Sequence, residues 1–485
     1  KFKDAKLQKL TFELARHKAW RFGAKTERMN AEQRQMFDAT LAEDQASLEA
    51  QLQALKGESA QTDAPASDKA KRPPRRQPLP EHLRREEHRF EPENTNCPTP
   101  DCGRAMTRVG EDVSERLDIV PAEFFVHRHI YGKWACRCCQ LLTQEPVQPQ
   151  IIDGGIPAAG LVAHTLVSRF ADHIPYYRME AINARSGVHT PRSTLASWSG
   201  AGGAALEPLY EALRDFVLSS AIVQADETPV AMLDPGAGKT KRAYIWGYAR
   251  GAFDATPAVV YDFCTGRGAR FPVEFLGNWS GTLVRDEYKG YESVVALHDR
   301  QAAGCLAHAR RKYDELFKDK GSPVAGEAVQ RIAAIYRIER ELRDLSAQQR
   351  RAQRQERAGP LWESLQAWLS LESQRVPDGS ATAKAINYSL NHWQALTANL
   401  RDGEVPLDNN HLENLMRPWA MGRKAWLFCG SELAGQRAAT VMSLVVSARL
   451  VGHDPWAYLK DVLTRLPTHL NSRIGELLPH LWQPA

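Results

Sequence analysis

The stretch Ala221-Ile-Val-Gln-Ala-Asp226-Glu227-Thr228-Pro229-Val-Ala-Met232 decides how this chain is read. Val, Ile and Ala dominate it, as in a strand that faces a core, yet two carboxylates interrupt it. An acidic side chain in an apolar strand is costly unless it is paired or binds a cation. Neighbours on a strand point to opposite faces, so only one of Asp226 and Glu227 can line a given site. Downstream, Arg242–Arg250 and Ala258–Phe263 read as two more strands, Pro272–Trp279 as a short helix and Gly281–Arg285 as another strand. Three strands, a helix and a fourth strand predict a mixed α/β sheet.

Asp286 follows the last of those strands at its carboxyl end. A third carboxylate, Glu413, lies at a helix start in Leu407-Asp-Asn-Asn-His-Leu-Glu413-Asn. Two strand Asp residues and a helix Glu suit a pair of divalent ions about 4 Å apart, which clamp the attacking and leaving oxygens of a phosphoryl transfer. Hard carboxylate oxygens select Mg2+ or Mn2+. The chain holds 58 acidic residues, so spacing alone singles out none of them, and Glu227 and Glu287 adjoin the chosen residues as rivals.

Working outward, the pattern is helical from Leu306 to about Leu400, with a strongly charged helix at Gln348–Arg357 and a long apolar one at Ser431–Leu450. Upstream of the sheet, Ile156–Leu218 is also helical. Within it, Arg178–Trp198 holds two short helices around a turn at Gly187, the second capped near Thr190 or Ser193. That pattern fits a helix-turn-helix that contacts DNA, and equally an ordinary αα-hairpin. Five of eight cysteines fall between Cys97 and Cys139. Such clustering, with no signal-peptide region after Lys1-Phe-Lys-Asp, favours metal over disulfides and a reducing, cytoplasmic compartment. Cys97, Cys102, Cys136 and Cys139 are the expected structural Zn2+ ligands in a zinc ribbon, with Cys138 spare.

The balance of 63 basic and 58 acidic residues is uneven along the chain. Residues 1–90 carry 19 Lys and Arg against 14 Asp and Glu, and the remainder is neutral. Lys69–Arg89 alone holds eight basic and three acidic residues, so Lys69, Lys71, Arg72, Arg75 and Arg76 read as a polyanion-binding block or a solvated linker. Before it, Leu41, Leu48, Leu52 and Leu55 suggest a coiled coil or a helical hairpin packed on the same chain. No run of 18 apolar residues exists, which argues against a transmembrane helix.

Several long motifs in order resemble the IS66 family of bacterial DDE transposases. They are Asp226-Glu-Thr-Pro-Val, Asp286-Glu-Tyr-Lys-Gly-Tyr, His308-Ala-Arg-Arg-Lys, Asp408-Asn-Asn-His-Leu-Glu413-Asn-Leu-Met-Arg-Pro and Gly422-Arg-Lys-Ala-Trp-Leu-Phe-Cys-Gly-Ser431. Phe22-Gly-Ala-Lys-Thr-Glu-Arg, Leu79-Pro-Glu-His-Leu-Arg-Arg-Glu, Ala171-Asp-His-Ile-Pro-Tyr-Tyr-Arg and His453-Asp-Pro-Trp-Ala-Tyr-Leu extend the resemblance over nearly the whole chain. The departures, Ala425 for a usual Asn, Leu306 for a common Trp and four residues instead of two between Cys97 and Cys102, leave the triad untouched.

The resemblance implies a multidomain α+β chain with an RNase H-like α/β catalytic core and a helical insertion. The expected units are a helical or coiled-coil segment at 1–56, a basic linker at 57–90 and a zinc ribbon at 91–145. A helical region at 146–219, the first part of the core at 220–305 and the insertion at 306–405 follow. The second part of the core, with the Glu, spans 406–450, and a helical tail spans 451–485. The implied triad is Asp226, Asp286 and Glu413, holding two Mg2+ or Mn2+ ions per site. The implied reaction cuts element ends and joins their 3′-OH to target DNA. The open alternatives are a nuclease without strand transfer and a silent DNA-binding protein. Arg417, Arg423 and Lys424 are expected DNA contacts, while His308, Arg310 and Arg311 form a basic cluster of unassigned role. The partners implied are DNA, a second copy of the chain as homodimer or higher oligomer, and accessory proteins of the same element.

Overall fold

A computed structural model describes residues 79–484 except positions 100, 121–122, 235–236 and 287, together with residues 10, 11, 14, 45–49, 51 and 52. Most of the expected coiled coil, the linker before residue 79, Lys69, Lys71, Arg72, Arg75, Arg76 and Glu287 lie outside the described residues. Among those described, Leu10, Leu48 and Leu52 bury one another with Leu14 and with Leu433 of the central domain. This contact within one chain is the one a helical hairpin makes.

The central sheet is built from β5 (Ile222–Asp234), β6 (Lys239–Arg250), β7 (Val259–Cys264), β8 (Thr282–Arg285) and β9 (Gln301–Gly304). Its order is β7-β6-β5-β8-β9. β6 runs antiparallel to β5 and β7, whereas β8 and β9 run parallel to β5. The four expected strands are present at the expected places. The fifth, β9, was not foreseen, because Gln-Ala-Ala-Gly carries no β-branched or aromatic residue.

Helices flank the sheet. Before it come α1 (Ala159–Leu166), α2 (Tyr176–Arg185), α3 (Arg192–Ala205) and α4 (Glu207–Leu218). Between strands lie α5 (Arg270–Leu276) and α6 (Gly290–Val295). The insertion holds α7 (Leu306–Lys320), α8 (Pro323–Glu341), α9 (Ala347–Gln353), α10 (Gly359–Ser373) and α11 (Ala381–Asn391). These pack around their own core of Leu306, Tyr313, Ile332, Trp362 and Ile386, so the insertion is a folded unit. The chain then returns through α12 (Asn410–Trp426), α13 (Glu432–Leu450) and α14 (Pro455–Arg465).

α13 has no distinct polar face and is buried almost throughout. Its serines do what a neighbouring strand would do for the edge strand β7. Tyr261 N donates to Ser443 Oγ at 2.8 Å, Val259 N donates to Ser447 Oγ at 3.0 Å, and Ser447 Oγ donates back to Val259 O at 2.8 Å. Buried strand amides that lack such partners would cost about 1–3 kcal/mol each.

The charged helix at Gln348–Arg357 is not merely solvated. Arg354 is 0% exposed. Its Nη1 donates to the carbonyls of Asn399, Asp402, Gly403 and Val405, and its Nε to Glu339 Oε2 at 2.9 Å. Arg350 donates to Leu342 O, Arg343 O, Leu345 O and Gly403 O. A guanidinium offers five donors in a fixed fork, so each buried charge is satisfied. Together they fix the backbone that leads from the insertion back to Asp408.

The N-terminal half carries a second sheet, with β1 (Arg85–Phe90), β2 (Thr107–Val120), β3 (Glu123–Ala135) and β4 (Leu142–Gln144). β3 pairs with all three others, β1 in parallel and β2 and β4 antiparallel. This corrects the linker expected to run to residue 90: its last residues form β1. Arg85, counted in the basic block, donates to Leu79 O, Pro80 O, Glu81 O and Leu83 O and pairs with Glu115, so it braces this turn. The sheet joins the helices through Leu117, whose N donates to Ile156 O at 2.6 Å and whose O accepts from Ala158 N at 2.8 Å.

The α2-turn-α3 pair is present, with Gly187 at φ +72°, a conformation that favours glycine. Its second helix has its N-cap position at Pro191, next to Thr190 as expected, and no side chain caps it. From Leu195 to Gly203 that helix is buried apart from Ser197, so only its first turn is open to a groove.

Candidate active site

Asp226 and Asp286 sit side by side because of strand register. β5 and β8 pair in parallel as Ile222 with Thr282, Val223 with Leu283 and Gln224 with Val284. The same offset carried two residues further brings Asp226 level with Asp286, just past the end of β8.

Asp226 lies opposite Gly247 of β6. A Cβ at Gly247 would fall 2.5 Å from Met416 Sδ and 3.3 Å from Leu412 Cδ1. Directly opposed residues of an antiparallel pair share a face, so Asp226 shares the face on which α12 packs. Only glycine admits the helix this close. Glu227 lies opposite Trp246 on the other face. Its side chain is 1% exposed and pairs with Arg267 Nη2 at 2.5 Å, while Tyr291 OH donates to its Oε2 at 3.1 Å. Of the two acids, Asp226 shares the face of α12, and Glu227 is the buried partner of Arg267.

Asn409 secures α12 to β5. It is 0% exposed. Its Nδ2 donates to Ala225 O at 2.9 Å, and its Oδ1 accepts from Gln224 Nε2 at 2.9 Å. Its backbone N donates to Cys305 Sγ at 3.2 Å. Asp408 accepts from Tyr336 OH at 2.8 Å and from Asn410 N at 3.0 Å, tying the helix start to the insertion. One turn on, Glu413 emerges towards the carboxylates of the sheet.

Glu413 faces His308 and Arg311 of α7. His308 Nδ1 stands 3.7 Å from its Oε1, and Arg311 Nη2 stands 3.6 Å from its Oε2. These are ion-pair separations, too long for hydrogen bonds, and Glu413 Oε1 and His308 Nδ1 are buried with no hydrogen-bond partner. Among the described residues, Cys305, His308 and Glu413 group within 4.8 Å, and the three carboxylates do not. They still feel one another. Burial first, then repulsion by Glu227, Asp286 and Glu413, pushes the Asp226 carboxyl up to about 8. Such a buried surplus of negative charge and hard oxygens fits a divalent cation.

Beside Asp286, a cavity opens between the sheet and the insertion. Arg267, Lys289, His308, Arg311 and Lys312 line it, with Tyr288 and Tyr388. This gives His308 and Arg311 a place in the site. Arg267, Lys289 and Lys312 were not foreseen. Lys289 and Lys312 stand in quoted motifs, but nothing in the sequence marks Arg267, which comes from the loop after β7. Of the expected DNA contacts on α12, Arg417 and Lys424 are exposed. Arg423 instead donates to Thr228 Oγ1 at 3.3 Å and Pro229 O at 3.0 Å, so it braces α12 against β5.

The cysteines form a separate centre. Cys97, Cys102, Cys136 and Cys139 place their sulfurs within 4.8 Å of one another, with Cys102 Sγ 3.9 Å from Cys136 Sγ. A tetrahedral zinc with bonds of about 2.3 Å sets its sulfurs about 3.8 Å apart, so the set fits. Cys139 N donates to Cys136 Sγ at 3.5 Å, while Cys138 is exposed and outside the group. Hydrogen bonds at Thr99 draw the Cys97 thiol down to about 6, and contact with Cys102 pushes Cys139 up to about 12. Sulfurs this close share protons unevenly, and a metal replaces those protons when it binds.

Four family models match the chain. They are the transposase IS66 family over residues 154–437, the zinc-finger binding domain of transposase IS66 over 95–140, the IS66 C-terminal element over 443–480 and the transposase C of IS166 homeodomain over 9–87. Three similar proteins of Sinorhizobium fredii, each named only as an uncharacterized protein (y4jD, y4qI and y4hP), are 39%, 36% and 33% identical to it. The matches cover 84%, 86% and 89% of this chain and 81%, 80% and 81% of theirs.

Proposed function

The chain belongs to the IS66 family of transposases, and from that premise we propose that it is a DDE enzyme that cuts element ends and joins them to target DNA. Asp226, Asp286 and Glu413 carry the reaction in this reading. The supporting observation is their assembly: register sets the two Asp side by side, and Asn409 fastens the helix of Glu413 to the same strand. The strand order, with β6 antiparallel to the four other strands, supports an RNase H-like core. When bound, a pair of Mg2+ or Mn2+ ions activates the attacking oxygen and offsets charge on the leaving one.

The residues around the triad handle the DNA. Arg267, Lys289 and Lys312 face the cavity that Asp286 borders and neutralise the phosphodiester backbone there. His308 and Arg311 keep Glu413 paired while the site is empty and turn to phosphate when DNA enters, which frees the carboxylate. Arg417 and Lys424 extend the basic surface along α12. Zinc held by the four cysteines keeps the N-terminal sheet folded, and the basic block before it contacts the element ends.

The test is cleavage and joining of element-end DNA with added Mg2+. If Asp226→Ala, Asp286→Ala and Glu413→Ala each work like the parent, the assignment fails. Ends that are cut but never joined would indicate a nuclease.

A further inference from the structure

A second set of metal-binding side chains lies on the N-terminal sheet, apart from the cysteines. β1 and β3 pair with Glu86 level with His127 and His88 level with His129, so these side chains share one face. His88 Nε2 lies 3.0 Å from His127 Nδ1, and Glu86 Oε2 lies 3.9 Å from the same nitrogen. Ligand atoms of all three fall within 4.8 Å of one another. A tetrahedral zinc with bonds of about 2.0–2.1 Å sets such donors about 3.3 Å apart, between the two separations observed.

Two further contacts orient this set. His127 Nε2 lies 2.7 Å from Asp118 Oδ2, and Asp118 is 2% exposed. A buried carboxylate needs that N–H, which leaves the lone pair on Nδ1, aimed at His88 and Glu86. A carboxylate behind a ligating histidine is the usual support of a metal site. On the other side, Arg84 Nη2 holds Glu86 Oε1 at 3.0 Å, which leaves Oε2 turned to the imidazoles. The carboxylates Glu86 and Asp118 offset two of the positive charges brought by a divalent ion, Arg84 and Arg116, the last of which lies level with His127 on β2.

We propose that Glu86, His88 and His127 form a zinc site distinct from the cysteine cluster, with Asp118 orienting His127. Two imidazoles and one carboxylate suit Zn2+ better than Mg2+. The ion clips the edge strand β1 to β3. Because β1 follows the basic linker directly, occupancy sets how firmly that linker is anchored to the zinc module.

Zinc content tests this. The full chain, free of any polyhistidine tag, is loaded with excess Zn2+, desalted and assayed for zinc per chain. His88→Ala and Glu86→Gln, both at solvent-accessible positions, are expected to hold one zinc fewer than the parent. With Co2+ in place of zinc, both variants should keep the thiolate-to-cobalt absorption of the cysteine cluster. Equal zinc in parent and variants overturns the proposal and leaves His88 and His127 as a hydrogen-bonded pair. Loss of the thiolate band together with the zinc in both variants overturns it as well.

Discussion

The cysteine cluster and the carboxylate site are assembled in opposite ways. Cys97 to Cys139 belong to the turns of one small sheet, and their sulfurs already lie within 4.8 Å of one another. Asp226 lies on a strand, Asp286 just past the end of another and Glu413 on a helix, with the whole insertion between the last two. Their oxygens are not drawn together, and Glu413 rests on His308 and Arg311. A site that only holds structure can be closed and preassembled, since nothing has to enter it. In the proposed reaction the carboxylate site admits DNA and hard, hydrated ions, so it stays open, and its buried carboxylates repel one another until a cation binds.

The largest expected effect separates the two regions by activity. Asp226→Ala, Asp286→Ala and Glu413→Ala should each lower Mg2+-dependent end cleavage roughly a thousandfold or more, with zinc content unchanged. A fall in zinc content alongside cleavage would mean that the regions are not independent. The converse variant, Cys136→Ser, should lose one zinc per chain and expose residues 79–145 to protease, while the chain beyond Ala159 stays protected in the same digest.

Acidity sharpens the contrast. The Asp226 carboxyl titrates at about 8 in the metal-free fold, against an ordinary 3.8. Between these values the folded chain keeps a proton that the unfolded chain has released. The associated stability is therefore full below the lower value and lost as pH rises through about 8. Without metal, Asp226→Asn should remove this slope and melt higher than the parent at pH 8, by on the order of several kcal/mol. Parallel melting curves across pH would contradict the burial of a repelled carboxyl.

Smaller effects test how Glu413 is placed. Asn409→Ala leaves the Gln224 amide and the Ala225 carbonyl unsatisfied, and thermal unfolding should show a loss of about 2–4 kcal/mol. Cleavage should fall with it. Arg311→Ala removes one half-exposed counter-ion of Glu413 and should lower the Mg2+ concentration for half-maximal cleavage about two- to fivefold. An unchanged Mg2+ requirement would show that the ion pair does not hold the site apart.

Much of this molecule was legible from local pattern. Enrichment in Val, Ile, Tyr and Ala gave β5 to β8, helical periodicity gave the insertion and α13, and the cysteine turns gave a four-sulfur group that includes Cys139 and not Cys138. Each of these depends on residues close in sequence, so the pattern carries its own geometry. The tertiary structure alone decided that Arg350 and Arg354 are buried carbonyl clamps, that Arg423 braces a strand, and that residues 85–90 leave the linker to form β1. It also decided that Glu413 of α12 faces His308 and Arg311 of α7. A charged side chain reads the same whether it faces water or a ring of carbonyls, and only the packing of distant elements determines which it meets.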